Sequence, residues 1–450
     1  MFFCAILFVS LINVEIGQGQ RNGQQMEEVF RWKQMGYEGL QGLNSPDSIT
    51  FPSNENDTDT ISDFNAYNNI PMGVEHFQGK LFVTVPRRFP GVASSLNYVD
   101  LPPNSVNKSP LLKPFPDVQT NKLDVNLQAD SRKIVSVYRT RLDECNRLWF
   151  VDTGLLEYPV GNLTQVQPPS IWVMNPETGA TLRRFEFPAT MEQRGNGVAS
   201  ITVDVSSRNC DDAFAYVPDL FYNRMYVYSY RQNKAWTFVH NYFRMDPFQG
   251  DFNVVGLQYQ WDDGIFSITL GPRQNDGFRD VYFHPMISIN EFVVSSRVLQ
   301  NEENADRVWH GDDFRLLGNR GPGTQSAMHQ LDLSTGVMFF SEIGRNAIGC
   351  ISSAKPLNSQ SHAILVQDNE RMVYPADLKV DSEGTLWVLS NTMPRYIYSQ
   401  LNTAEFNFRI WRVSARELIK GTVCDTNGPP ESGRIGNNYR HRNSKPPNRF

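Results

Sequence analysis

A short apolar run ending in a polar or turn residue recurs six times along the chain. The runs are LFVTVPR from Leu81, LWFVDTG from Leu148, FAYVPDL from Phe214, IFSITLG from Ile265, MFFSEIG from Met338 and LWVLSNT from Leu386. Successive starts lie 67, 66, 51, 73 and 48 residues apart. That spacing is too wide for a solenoid and suits four-stranded blades of roughly 40–50 residues with loop insertions. The runs therefore predict an all-β chain, a six-bladed β-propeller around a central channel, and the channel is where function is expected. A length of 450 residues does not force a division, because closed all-β folds routinely exceed the usual domain size.

From residue 74 onward each run sits in a repeating grammar. An apolar piece and a polar turn precede it, as in VEHFQGK, LQYQWDDG, HQLDLSTG and LKVDSEG, and the glycine is expected to supply the positive φ of a hairpin. The runs themselves are read as the inner strands. Further strands follow, as in SIWVMNPETGATLRRFEF, where residues 175–179 form a hairpin turn. Helical periodicity is scarce, and residues 414–420 are the best short candidate. A propeller must close its ring, and FRWKQMGYE (30–38), in the amphipathic piece around residues 29–37, is the expected closing segment. Residues 41–66, rich in Asn, Asp, Ser and Thr, read as a polar surface loop. Residues 20–424 are expected to form one domain.

Residues 1–19 stand apart. Residues 2–14 are almost unbrokenly apolar, a length that fits a signal-peptide core and is too short to span a bilayer. No later stretch approaches ~20 apolar residues, so no membrane anchor is expected and the product is placed outside the cell. Once Cys4 leaves with the leader, Cys145, Cys210, Cys350 and Cys424 remain. An even number in a secreted chain reads as two disulfides, with three possible connectivities. Sequential pairing, Cys145–Cys210 and Cys350–Cys424, is favoured, because Cys145 and Cys210 each precede a run and a bridge would staple neighbouring blades. Sequons at Asn56, Asn107 and Asn162 are candidate glycan sites. Residues 425–450 hold four prolines, five Lys or Arg and two acids, and read as a disordered basic tail. The formal charge of −6 argues against nucleic acid as a partner.

Common catalytic signatures are missing: no H-E-x-x-H, G-x-S-x-G, P-loop or G-x-G-x-x-G occurs. The seven histidines (His76, His240, His284, His310, His329, His362 and His441) show no metal-ligand spacing, so no metal is expected. The aligned runs offer more, because their last polar positions include Asp152, Asp219, Glu342 and Asn391 from four blades. Strand ends face the channel mouth, where these groups can line a ligand pocket with Asp152 or Asp219 as general base. In the competing reading, favoured residue by residue, each satisfies backbone N–H groups at its own turn. Residues 390–412 add Tyr396, Tyr398, Phe406, Phe408 and Trp411 among Asn391, Asn402 and Asn407. Such a mixture suits stacking on a planar aromatic ligand and equally an ordinary β core.

Several segments in fixed order resemble the insect Yellow and major royal jelly protein family. They are RLWFVDTG (147–154), PPSIWVMNPETG (168–179), QWDDGIFSITL (260–270), STGVMFFSEIGRNAIGC (334–350) and LWVLSNTMPRYIYS with FNFRIWR (386–412). The resemblance runs over residues 30–424 and implies a secreted six-bladed propeller. It also implies a role in melanin or cuticle pigmentation. Some members convert dopachrome, and salivary members bind amines at one channel mouth near the C-terminal blade. Carried onto this sequence, that site falls on Asn391, Thr392, Asn407 and Phe408, with Glu342 as a further strand-end group. The chain departs from the commoner pattern at Ile351-Ser352, where many members carry tryptophan, and at Thr392, where arginine is frequent.

The expected function is binding of a small aromatic amine or catechol-derived molecule at the mouth, in pigmentation or cuticle biology. Dopachrome tautomerisation is the enzymatic alternative; one base and hydrogen-bond donors to the quinone oxygens suffice for it, with no cofactor. A structural protein of cuticle or eggshell matrix is a third reading. A calcium-dependent, lactonase-like propeller using Asp152, Asp219, Glu342 and Asn391 is a fourth.

Overall fold

The computed structural model describes residues 26–39, 64–103, 107–157, 163–191 and 195–425. The expected signal peptide, the loop up to residue 63, the sequons at Asn56 and Asn162, and the tail beyond Asp425 lie outside them. Asn107 is exposed.

Six four-stranded antiparallel sheets form the ring. In order along each sheet, blade 1 comprises Gly73–Phe77, Lys80–Thr84, Leu96–Asp100 and Lys113–Pro114. Blade 2 has Val137–Leu142, Leu148–Asp152, Ser170–Met174 and Thr181–Glu186, and blade 3 has Thr202–Ser206, Asn209–Asp219, Arg224–Ser229 and Lys234–Val239. Blade 4 has Ile265–Leu270, Asp280–Pro285, Asn290–Ser295 and Phe314–Asn319, and blade 5 has Ser326–Asp332, Val337–Glu342, Ala347–Ser352 and His362–Gln367. Blade 6 has Pro375–Val380, Thr385–Ser390 and Phe408–Ser414, completed by Glu27–Trp32 from the other end of the chain. The first strands pack against one another and surround the channel.

The six blades appear as expected, but five of the six runs are not innermost. Those at Leu81, Leu148, Phe214, Met338 and Leu386 form second strands, and only Ile265–Leu270 lines the channel. The reason is burial on both faces. Second strands are sandwiched between neighbouring blades, so Leu148–Asp152 and Val337–Glu342 are buried at every position and read as unbroken apolar runs. First strands instead turn alternate residues inward, where Glu75, Arg139, Arg141, Gln330, Asp377 and Lys379 interrupt the apolar pattern. Arg141 donates to Gln330 Oε1 at 2.9 Å, and Lys379 to Asp377 Oδ1 at 3.2 Å. At the 78–79 turn Gln78, not the neighbouring glycine, takes the positive φ.

Ring closure uses the first part of the expected segment, with residues 33–37 lying beyond the closing strand. Glu27–Trp32 pairs antiparallel with Phe408–Ser414, and Val29, Phe30 and Trp32 are buried. Glu28 accepts from Arg409 at 3.1 Å and from Arg371 at 3.0 Å. The two disulfides are Cys145–Cys210, joining blades 2 and 3, and Cys350–Cys424. The 175–179 turn joins two strands of blade 2, with Gly179 at φ 74°. The short helix Ala415–Ile419 starts at Ser414, whose hydroxyl accepts from the Glu417 amide.

Candidate functional site

Because neighbouring strands are antiparallel, first strands begin and second strands end on the same face of the ring. That face carries long connections, including residues 85–95, 244–264 and 391–407. The opposite face carries tight turns such as 78–79, 230–233 and 381–384, together with the longer connections 271–279, 296–313 and 353–361.

The strand-end residues lie on the long-loop face, but their polar atoms serve the chain itself. Asp152 is fully buried and accepts from the amides of Val135, Ser136 and Gly154 at 2.9, 2.8 and 3.0 Å. Asp219 accepts from the amides of Gly197, Phe221 and Tyr222 and from the Tyr226 hydroxyl. Glu342 is buried against His362 Nε2 and lies 3.7 Å from Arg345. Asn391 donates to the Pro71 carbonyl at 2.8 Å, and Asn407 donates to the carbonyls of Lys33, Asn402 and Glu405. Thr392 donates to the Asn407 carbonyl at 3.1 Å from a left-handed backbone conformation, and Phe408 is buried opposite Trp32 in the closing strand pair. These groups hold the loops of the mouth in shape.

A different set converges inside that mouth. Arg88, just beyond the second strand of blade 1, donates through Nε to Glu157 of blade 2 at 3.1 Å. Its Nη1 reaches Met393 Sδ at 3.4 Å, on the helix Met393–Tyr398 of blade 6. Asp263, two residues before the first strand of blade 4, lies within electrostatic reach of both Arg88 and Glu157. Tyr374, at the entry to blade 6, has its phenol pushed up by burial and feels the charges of Arg139, Asp263 and Arg88. Its ring stacks on Trp261 at 6.0 Å and 14°. Tyr398 stacks on Tyr259 at 4.5 Å and 12°, and Tyr259 on Phe252 at 5.3 Å and 1°. Loops of blades 1, 2, 4 and 6 thus bring one guanidinium, two carboxylates and two aromatic stacks to one place.

The electrostatics suit proton transfer. Burial pushes the Asp263 carboxyl up to about 7, while a hydrogen bond from the Trp261 side chain and the charge of Arg88 pull it back. A carboxyl poised there exchanges protons readily near neutral pH. Tyr374, Tyr259 and Phe252 are buried in these stacks, whereas Trp261 is partly exposed and Tyr398 exposed. A planar aromatic ligand can stack on that surface.

Strand direction explains why these residues escape a search of run ends. In blade 4 the apolar run is the first strand and points the other way, so its mouth-side polar group precedes it: Asp262-Asp263 before Ile265, not Gly271 after Leu270. Arg87 and Arg88 are adjacent but diverge. Arg87 is buried and donates to the carbonyls of Asn121 and Ile134, whereas the Arg88 side chain stays 22% exposed on the rim.

Among the described residues, His284, Glu291 and His329 form the one grouping of three ligand-type side chains close enough to hold a metal, with ligand atoms within 4.8 Å. Sequence spacing gave no sign of it, because the residues come from two blades. Arg320 already occupies the carboxylate, 2.7 Å from Glu291 Oε2, so the positive charge there belongs to the chain. Asp152, Asp219 and Glu342 do not assemble into such a grouping.

Comparison with known proteins adds a lineage to this geometry. The major royal jelly protein family model matches residues 135–424. L-dopachrome tautomerase yellow-f of Drosophila melanogaster is 48% identical over 413 residues, covering 90% of this chain and 95% of that protein. Protein yellow of Drosophila melanogaster is 38% identical over 377 residues, covering 82% of this chain and 68% of that protein.

Proposed function

The chain belongs to the Yellow and major royal jelly protein family, and on that premise we propose that it isomerises a catechol-derived quinone of the dopachrome type at the long-loop mouth. The observation that carries this reading is a buried carboxyl, Asp263, within electrostatic reach of Arg88 and two residues from Trp261, whose ring stacks on Tyr374. Tautomerisation of L-dopachrome moves two protons from saturated ring carbons to the two quinone oxygens, and both electron pairs stay in the ring. No oxidant or reductant is consumed. The reaction asks for a poised base, an aromatic surface to orient the ring and donors near the developing oxyanions, and the mouth offers each of these groups. The name of the 48% identical relative supports the same substrate class.

Binding of a catecholamine or other aromatic amine without turnover is the second reading. The exposed Asp262 carboxylate beside Asp263, with Glu157 already paired to Arg88, favours it as a site for a cationic amine. We place either activity outside the cell, in pigment formation; the apolar leader, the paired cysteines and the exposed Asn107 sequon support that placement.

The test is decay of L-dopachrome absorbance with purified protein, run beside calorimetric titration with dopamine. Saturable acceleration over the buffer rate supports isomerisation. Dopamine binding with no acceleration supports the binding reading, and neither signal sinks both.

A further inference from the structure

We propose that Asp263 is the base that takes the ring-carbon proton, a role that rests on the isomerase reading above. The other carboxylates of the mouth are committed elsewhere. Asp152 and Asp219 are each capped by three backbone amides, Glu342 is paired with His362 and Arg345, and Glu157 is paired with Arg88. Asp262 is exposed, with nothing to fix its carboxylate. Asp263 differs from all of these: it is 8% exposed, and among the described residues no backbone amide donates to its carboxylate.

Its backbone is held from three directions. The Asp263 carbonyl accepts from the Ile287 amide at 3.2 Å, the Gly264 amide donates to Leu220 at 3.1 Å, and the Gly264 carbonyl accepts from Met286 at 2.9 Å. Gly264 is tight against its surroundings: a Cβ there would lie 2.0 Å from Asn223 Oδ1 and 2.7 Å from the Phe243 carbonyl. Residue 263 therefore cannot drift, and its side chain is presented next to Trp261, whose ring lies against Tyr374. A positioned base beside a stacking surface is the geometry proton abstraction needs.

The step balances within the site. The Asp263 carboxylate accepts the proton from the saturated ring carbon, and the C–H electron pair enters the ring. The nearest quinone oxygen gains negative charge, which Arg88 stabilises. The proton on Asp263 then passes to that oxygen and restores the carboxylate. A second such transfer, from the adjacent saturated carbon to the other quinone oxygen, moves the second proton and completes the catechol. Burial holds this carboxyl near neutrality, which suits both halves of the cycle.

The experiment is steady-state turnover of L-dopachrome by wild type, Asp263→Asn and Asp263→Glu, with Glu157→Gln beside them. Asp263→Asn is expected to lose ~10²–10⁴-fold in kcat with KM within a few-fold, and Asp263→Glu to recover part of the loss. The wild-type pH–rate profile should show an acid limb that the Asn variant lacks. Asp263→Asn that keeps kcat within about threefold, or that loses only in KM, overturns the assignment. Should the Asn variant fail to fold, Asp263→Glu decides the matter: an unchanged rate and pH profile overturn the role. Wild-type protein without turnover removes the isomerase reading itself, a result distinct from an active enzyme indifferent to residue 263.

Discussion

Arg88 of blade 1 and Glu157 of blade 2 pair at 3.1 Å on the rim of the long-loop mouth, each side chain about one-quarter exposed. The pair joins two blades, and the charge of Arg88 also reaches Asp263. Because it is partly solvated, its contribution to stability is small, ~1 kcal/mol or less. Its influence on the site is larger. Arg88 holds the Asp263 carboxyl down, so Arg88→Gln is expected to move the acid limb of the pH–rate profile upward while leaving the urea midpoint nearly unchanged. An unmoved limb, or a large fall in stability, would contradict this.

Glu291 sits fully buried between His284, His329 and Arg320, bonded to Arg320 at 2.7 Å and to His284 at 3.0 Å. Removing the carboxylate charge strands a buried guanidinium. Glu291→Gln is therefore expected to destabilise the fold by ~3–5 kcal/mol, read from urea unfolding. A loss below about 1 kcal/mol would show that Arg320 finds another partner.

The same seam sets a response to acid. Burial pulls the His284 imidazole from 6.5 down to about 4, although Glu291 works against it. Between those values the unfolded chain binds a proton that the folded chain refuses, so stability falls as pH falls from 6.5 towards 4. Urea midpoints across that window should decline for wild type and decline less for His284→Gln.

His76 responds in the opposite sense. Burial draws it down, but Asp381 at 2.6 Å and the Gln78 carbonyl at 2.7 Å outweigh burial and leave its pKa above the usual 6.5. The folded state holds the proton more tightly. Stability from this contact is complete below 6.5 and is lost as pH rises through the folded value. Trp387, which also donates to Asp381 at 2.8 Å, reports the change. Its fluorescence should titrate with His76 in wild type and stay flat in His76→Gln.

Cys145 and Cys210 close a loop spanning 65 residues between blades 2 and 3. The paired change to serine is expected to cost ~2–4 kcal/mol in thermal or urea unfolding. An unaltered midpoint would mean that packing alone holds those blades together.

The ring was legible because its second strands are buried on both faces, and burial of that kind writes itself as an apolar run such as LWFVD or MFFSE. First strands were harder to see, since the channel asks for Glu75, Arg139 and Asp377 where a core would ask for Val. The Cys145–Cys210 pairing was readable because each stands just before an apolar run. Cys350, inside a third strand, and Cys424, past the last helix, share no such position. At the mouth, Asn391 and Asp152 were visible as strand ends, yet their roles depended on which amides the fold brought to them. Tyr374 carries no local signature at all. It lies in a loop, and only the stacking of Trp261 from another blade gives it a place in the site.

Closure of blade 6 pairs Glu28 with Arg409, 381 residues apart in sequence. The first segment of the propeller to leave the ribosome is thus the last to find its partner. Until Phe408–Ser414 is made, Glu27–Trp32 has no strand to join, and without Glu27–Trp32 the third strand of blade 6 keeps a bare edge. The mouth draws on blades 1, 2, 4 and 6, so it is assembled only when the ends meet. Nascent or truncated chains are accordingly expected to be inert towards ligand, and ligand added during refolding should report closure itself.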